Sequence, residues 1–171
     1  LRQLLIEVTD RCNLECKYCG YGEFYSNYDR RETGDQSFEN VKLLVDYLTK
    51  LWCSDYNVSH KNEITIGFYG GEPLLNMKLV KETIAYIESL NLPSLIFNYN
   101  TTTNAMLLDR YMDYLVEKNF SILISLDGNE VQSAYRVDKH GNSSFSRVVR
   151  NVKKLQETYP DYFEKKVTSV H

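Results

Sequence analysis

The chain has 171 residues, with 23 acidic against 20 basic side chains and a net charge of −3. That length suits one domain, and the absence of a basic block excludes nucleic acid as the main partner. No apolar run reaches the roughly 20 residues of a membrane span, and there is no signal-peptide pattern. Four cysteines, three of them crowded together, therefore point to a reducing, cytoplasmic setting rather than a disulfide framework.

Apolar runs of strand length alternate with longer segments of helical period. The first strand is expected at Leu4–Thr9, and a loop with Cys12, Cys16 and Cys19 follows it directly. A helix is expected over Phe38–Cys53, where Val41, Leu44, Val45, Leu48 and Leu51 or Trp52 recur at three- and four-residue steps and make one buried stripe. A strand at Glu63–Tyr69 leads through Gly70-Gly-Glu-Pro73 into a helix over Met77–Leu90. A third strand at Leu95–Asn100 runs into the polar row Asn98-Tyr-Asn-Thr-Thr-Thr-Asn104, and a helix follows at Leu108–Lys118. Ile122-Leu-Ile124, within a strand at Ser121–Leu126, reads as buried on both faces. The fourth helix, Phe145–Tyr159, carries Val148, Val149, Val152 and Leu155 on one side and stops before Pro160; a fifth strand is expected at Lys166–Val170.

This alternation predicts an α/β fold with parallel strands, either a doubly wound sheet or a (β/α) barrel. Four βα units and a fifth strand are too few for a closed eight-fold barrel, so a partial or truncated one is the barrel form that fits. The chain starts at Leu1, entering a strand, and stops at His171 just after one, as expected of a piece of a longer protein.

The cysteines are spaced C-x3-C-x2-C in the run Arg11-Cys-Asn-Leu-Glu-Cys-Lys-Tyr-Cys-Gly20. An ordinary iron–sulfur cubane takes four thiolates, so a loop that supplies three leaves one iron open for chemistry. A structural zinc site closes with four Cys or His ligands, and His60, His140 and His171 are all remote in sequence. A redox pair from Cys16 and Cys19 leaves Cys12 unexplained. Cluster, zinc and redox readings all stay open on the loop alone.

In either α/β architecture ligands bind beyond the carboxyl ends of the strands. Gly70 and Gly71 let backbone come close to a ligand, and Glu72 supplies an acceptor for a cation. The row Asn98–Asn104 suits hydroxyls or amides, and Ser125 with Arg136 could hold a carboxylate. Each of these alone has a plain alternative as a turn or a cap. Four strand ends furnished in this way at once is the stronger signal.

The ordered set resembles the radical S-adenosylmethionine (SAM) enzymes: C-x3-C-x2-C, then GGEP, then Thr103-Asn104, then Ser125-Leu-Asp-Gly128. It resembles most their peptide- and protein-modifying branch with a SPASM-type extension, such as the sulfatase maturases. The resemblance implies a partial TIM barrel of the radical SAM type, of which residues 1–171 would be an incomplete core lacking the sixth βα unit and the C-terminal extension. It implies that Cys12, Cys16 and Cys19 ligate three irons of a [4Fe–4S] cluster, with SAM on the fourth. It implies further that Gly70, Gly71 and Glu72 receive the SAM amino group, that Ser125 and Arg136 hold its carboxylate, that Asn104 lies near its ribose and methionyl part, and that Tyr18 flanks cluster and adenine. The activity implied is generation of a 5′-deoxyadenosyl radical that modifies a peptide or protein side chain, fed by a one-electron reductant such as flavodoxin or ferredoxin. The alternative is a non-catalytic peptide-binding domain that carries a cluster or zinc. Two departures stand out: Ala105 follows Thr-Asn where such enzymes usually have Gly, and Tyr69 stands where many have Gln.

Other residues read as structural. Cys53 beside Trp52 is expected in the core, the many tyrosines in packing, and His60 and His140 in solvent. Glu7, alternating against Leu4, Ile6 and Val8, is expected to face the lumen, and Asp127 either caps a turn or meets substrate.

Overall fold

A computed structural model describes residues 2–20, 34–57 and 62–170; His60 and His171 lie outside them. Five strands, β1 (Gln3–Thr9), β2 (Glu63–Gly70), β3 (Ile96–Thr103), β4 (Ser121–Ser125) and β5 (Val167–Val170), form one sheet in that order, each pair parallel. A doubly wound sheet reverses at a switch point. An order that follows the chain keeps right-handed crossovers on one face, as in a (β/α) barrel. The fold is therefore an α/β partial TIM barrel.

The helices are α1 (Phe38–Trp52), α2 (Met77–Ser89), α3 (Leu108–Glu117), α4 (Phe145–Thr158) and α5 (Pro160–Lys166). Burial follows the strand pleat: Leu4, Ile6 and Val8 of β1 are buried against the helices, while Gln3, Leu5 and Glu7 are exposed on the other face. Ile64, Ile66 and Phe68 of β2 and Ile122 and Ile124 of β4 complete the helix-side layer, each contributing roughly 2–3 kcal/mol by removal from water. Tyr99 and Phe120 stack there with centroids 5.6 Å apart.

Several expectations shift. β4 is buried on its helix face only, Leu123 being half-buried on the open face, because every crossover covers the same side. β3 runs three residues further than expected, so the threonine row is strand rather than loop: Thr101 and Thr103 face the helices, Thr102 the open side. The α1 stripe is Val41, Val45, Leu48 and Trp52, leaving Leu44 and Leu51 exposed. In α4 Asn151 is buried between Val148 and Leu155, with Val149 and Val152 only partly covered. Pro160 ends α4 as expected but also opens α5, occupying the first helical turn where its missing N–H costs nothing. Cys53 is exposed, not core: it follows the last turn of α1, and its backbone N–H caps the helix by donating to the Thr49 and Leu51 carbonyls. His140 is exposed in its loop. Among the described residues no helix is long and apolar enough to cross a membrane.

Candidate functional site

The cysteine loop leaves β1 at Thr9 and is gripped from both sides by backbone. The N–H of Gly71 donates to the Thr9 carbonyl (2.9 Å) and that of Glu72 to Arg11 (2.8 Å). This contact is what demands the two glycines. A Cβ on Gly71 would lie 2.3 Å from the Arg11 oxygen, and one on Gly70, whose φ is +141°, would lie 2.0 Å from the Thr9 oxygen. The glycines thus bring backbone close to the cysteine loop itself. On the other side Glu15 N–H donates to Val137 (2.8 Å) and Lys17 N–H to Tyr135 (3.1 Å), pinning the loop to the segment after β4.

Thr9 holds the returning chain as well: its hydroxyl bonds Asp35 (2.7 Å), whose carboxylate takes a two-pronged grip from Arg11 (2.6–3.0 Å). Asn76, at the start of α2, donates to the Val8 carbonyl at 2.8 Å.

Glu72 is fully buried, with its carboxylate turned inward. One oxygen accepts from the Thr103 hydroxyl (2.7 Å) and the Leu74 N–H (3.1 Å), the other from the Asn104 N–H (2.8 Å). Burial pushes its pKa up to about 7, against the pull of these bonds. Of about four lone-pair directions on a carboxylate, three are therefore spent joining the β2 turn to the end of β3. Asn104 continues the chain of contacts. Its amide donates to the Asn13 side chain at 2.7 Å and lies 3.7 Å from the Cys12 sulfur, so it meets the cysteine loop directly. Ala105 follows with φ +60°, a left-handed turn without the glycine that favours it. The buried Asn151 of α4 fixes that turn by donating to the carbonyls of Ala105 (2.9 Å) and Met106 (3.2 Å).

After β4, Asp127 gathers two of the expected residues. Arg136 grips it with Nε (2.9 Å) and Nη2 (2.8 Å), and the Tyr18 hydroxyl donates to it at 2.5 Å. The guanidinium also stands over the Tyr18 ring, 5.3 Å from the centroid. Burial works to raise the Asp127 pKa, but the bonds from Arg136 and Tyr18 win and hold it low. Tyr18 is pushed up, first by burial and then by its bond to Asp127. Arg136 has thus committed one edge of its fork, and only the end carrying Nη1 remains for a second carboxylate. Burial raises the Cys16 thiol to about 11, with Arg136 acting against the rise.

All ten expected residues line one cavity of about 1060 Å³ at the carboxyl ends of the strands: Cys12, Cys16, Cys19, Tyr18, Gly70, Gly71, Glu72, Asn104, Ser125 and Arg136. That volume is at the upper end of the range for small-molecule sites. The donor set is three thiols from a single backbone-clamped loop. Among the described residues no three His, Cys, Asp or Glu side chains converge on one point as ligands of a single ion. A cubane asks for one thiolate per iron, and a loop of three soft thiols suits iron in that form. Sequence reasoning missed Asn13, the Arg11–Asp35 grip and Asn151. Of these only Asn151 carried a signal, an amide in the middle of an apolar helix stripe.

Several known proteins are similar to this chain. An uncharacterised protein of Methanocaldococcus jannaschii is 33% identical over 145 residues, covering 84% of this chain and 45% of its own length. The cysteine-type anaerobic sulfatase-maturating enzyme of Clostridium novyi is 27% identical over 165 residues, covering 95% and 42%. A GTP 3′,8-cyclase of Staphylococcus epidermidis is 34% identical over 133 residues, covering 76% and 35%. The chain thus spans less than half the length of these relatives. The solved structure of native anSMEcpe with bound AdoMet superposes with a TM-score of 0.78 at 22% identity, over 99% of this chain and 52% of the other, which shows the shared fold. The profile of the Radical SAM superfamily matches residues 6–170. The chain belongs to the radical SAM superfamily, whose cofactors are a [4Fe–4S] cluster and S-adenosylmethionine.

Proposed function

We propose that this chain is the radical-generating part of an enzyme that modifies a peptide or protein side chain. The observation that carries the reading is the single cavity in which the cysteine loop, the Gly70-Gly71-Glu72 turn, Asn104, Ser125 and Arg136 meet. Cys12, Cys16 and Cys19 would each hold one iron. The carbonyls of Gly70 and Gly71 would receive the SAM amino group; Glu72 has a single acceptor direction left and acts mainly by shaping the turn. Ser125 and the unspent end of Arg136 would hold the SAM carboxylate, with Asp127 keeping Arg136 aimed. Asn104 would anchor the loop beside the methionyl part, and Tyr18, braced under Arg136, would wall off cluster and adenine from water.

When bound, the reduced cluster supplies the electron that cleaves SAM to the radical which abstracts a substrate hydrogen; the protein's part is positioning and exclusion of water. A flavodoxin- or ferredoxin-like protein would deliver that electron. The peptide reading draws support from the sulfatase-maturating relative. A nucleotide substrate is the second reading, favoured by the GTP 3′,8-cyclase. The test is anaerobic reconstitution with iron and sulfide, then dithionite and SAM. Release of 5′-deoxyadenosine is expected, and Cys16→Ala should abolish it. Iron content that stays at background, or zinc that copurifies one per chain, would sink the proposal.

A further inference from the structure

The sheet face without helices has a chemistry of its own. Glu7 of β1 pairs in register with Tyr69 of β2, and both are exposed there. Asn98, Asn100 and Thr102 of β3 point the same way by the period of the strand. Tyr69 and Thr102 belong to the cavity lining, so this face continues the cavity floor down the barrel. Between them the side chains of Asn100 and Leu5 close over Gly67, where a Cβ would meet Asn100 Oδ1 at 2.6 Å and Leu5 Cδ1 at 2.8 Å, so the floor is level there. None of these five polar side chains spends a hydrogen bond or ion pair on a described residue.

The charge of the floor has one sign. Among the described residues the open faces of the strands carry Glu7 and Glu63 and no lysine or arginine. The cations near the cavity stand on loops above it: Arg11 is held by Asp35, Arg136 by Asp127, and Lys17 and Lys139 sit at the rim. A nucleoside triphosphate brings several negative charges, which need closely placed cations. Carboxamides, by contrast, both donate and accept and so match peptide amides, while Glu7 offers the one carboxylate level with Tyr69.

We infer that this floor binds an extended peptide segment bearing a cationic side chain, with Glu7 as the specificity-determining group, and rejects nucleoside triphosphates. The inference rests on the peptide reading above and gives that substrate its charge.

The experiment uses the reconstituted, SAM-saturated chain and three fluorescent probes. Two are rhodamine-labelled hexapeptides of glycine, serine and alanine that differ only in one central lysine or glutamate; the third is GTP with a fluorescent ribose tag. Anisotropy should show the lysine peptide bound about fivefold tighter than the glutamate peptide, the size expected of one partly screened ion pair. GTP should bind more weakly than either peptide. Glu7→Gln should erase the preference, and Leu5→Lys should weaken it. Both positions are solvent-exposed, so neither change threatens the fold. Equal or undetectable binding of the two peptides, a preference that survives Glu7→Gln, or GTP binding tighter than the lysine peptide would each overturn the inference. Release of 5′-deoxyadenosine from the same preparation keeps the two proposals apart. Release without a preference sinks only the charge-selective floor, and a preference without release sinks only the radical chemistry.

Discussion

Glu72 should make the chain less stable as the pH rises through neutrality. An unfolded glutamate titrates near 4.5, and in the native state burial moves the group to about 7. Between those values the native state holds the proton and the unfolded state has released it. A raised acid pKa therefore means that unfolding gives up a proton, and stability falls with rising pH across that window. Each pKa unit corresponds to about 1.4 kcal/mol, so the full effect is about 3 kcal/mol, of which about 2.5 lies between pH 5 and pH 8. Glu72→Gln removes the titration and keeps the shape, but its NH2 must face one of the three donors, a cost of about 1–3 kcal/mol at any pH. Urea unfolding of both proteins from pH 5 to pH 8 isolates the group, because every other titration cancels in the difference. Wild type should lose about 2.5 kcal/mol relative to Glu72→Gln over that range. A difference that is flat with pH, or that grows in favour of wild type, would refute the reasoning.

Four further outcomes are expected. Gly71→Ala forces a Cβ onto the Arg11 and Asp10 carbonyls at 2.3 and 2.5 Å, so iron bound per chain after reconstitution should fall steeply. Asn151→Leu leaves two buried carbonyls without their donor and should cost about 2–3 kcal/mol in chemical denaturation. Ala105→Gly removes the left-handed penalty at φ +60° and should leave stability unchanged or raised by up to about 1 kcal/mol, whereas Ala105→Val in this fully buried turn should lose about 2 kcal/mol or more. Asp127→Asn frees Arg136 and Tyr18 from their shared anchor, and calorimetry should show SAM bound about tenfold more weakly, the order expected for losing a hydrogen-bonded charge.

The fold could be read from the sequence as far as its pattern is local. β1, β2, α1, α2 and α3 fall within a residue or two of their expected limits, because alternation and helical stripes report which side chains leave water. Polarity misled where burial was one-sided. Thr101 to Thr103 looks like a loop because its side chains are polar, yet the backbone pairs with β2 and β4 and carries the strand on. α5 was hidden because Pro160 stops one helix and starts another. The ten expected residues, picked through the family motifs, line one cavity, but their contacts could not be read. That Glu72 is consumed by Thr103 and Asn104, and Arg136 by Asp127, depends on packing between strand ends that no spacing encodes.

The sequential strand order also sets a timetable. Each strand pairs with its predecessor, so most closures are short, except the long stretch from Thr9 to Glu63 that must come together before β1 meets β2. The three cysteines lie at the start of that stretch, while the groups that clamp them, Gly71, Asn104 and the segment through Val137, are made successively later. During synthesis the thiols therefore emerge before every group that clamps their loop. The nascent chain carries these three sulfurs unclamped until the segment after β4 has been made.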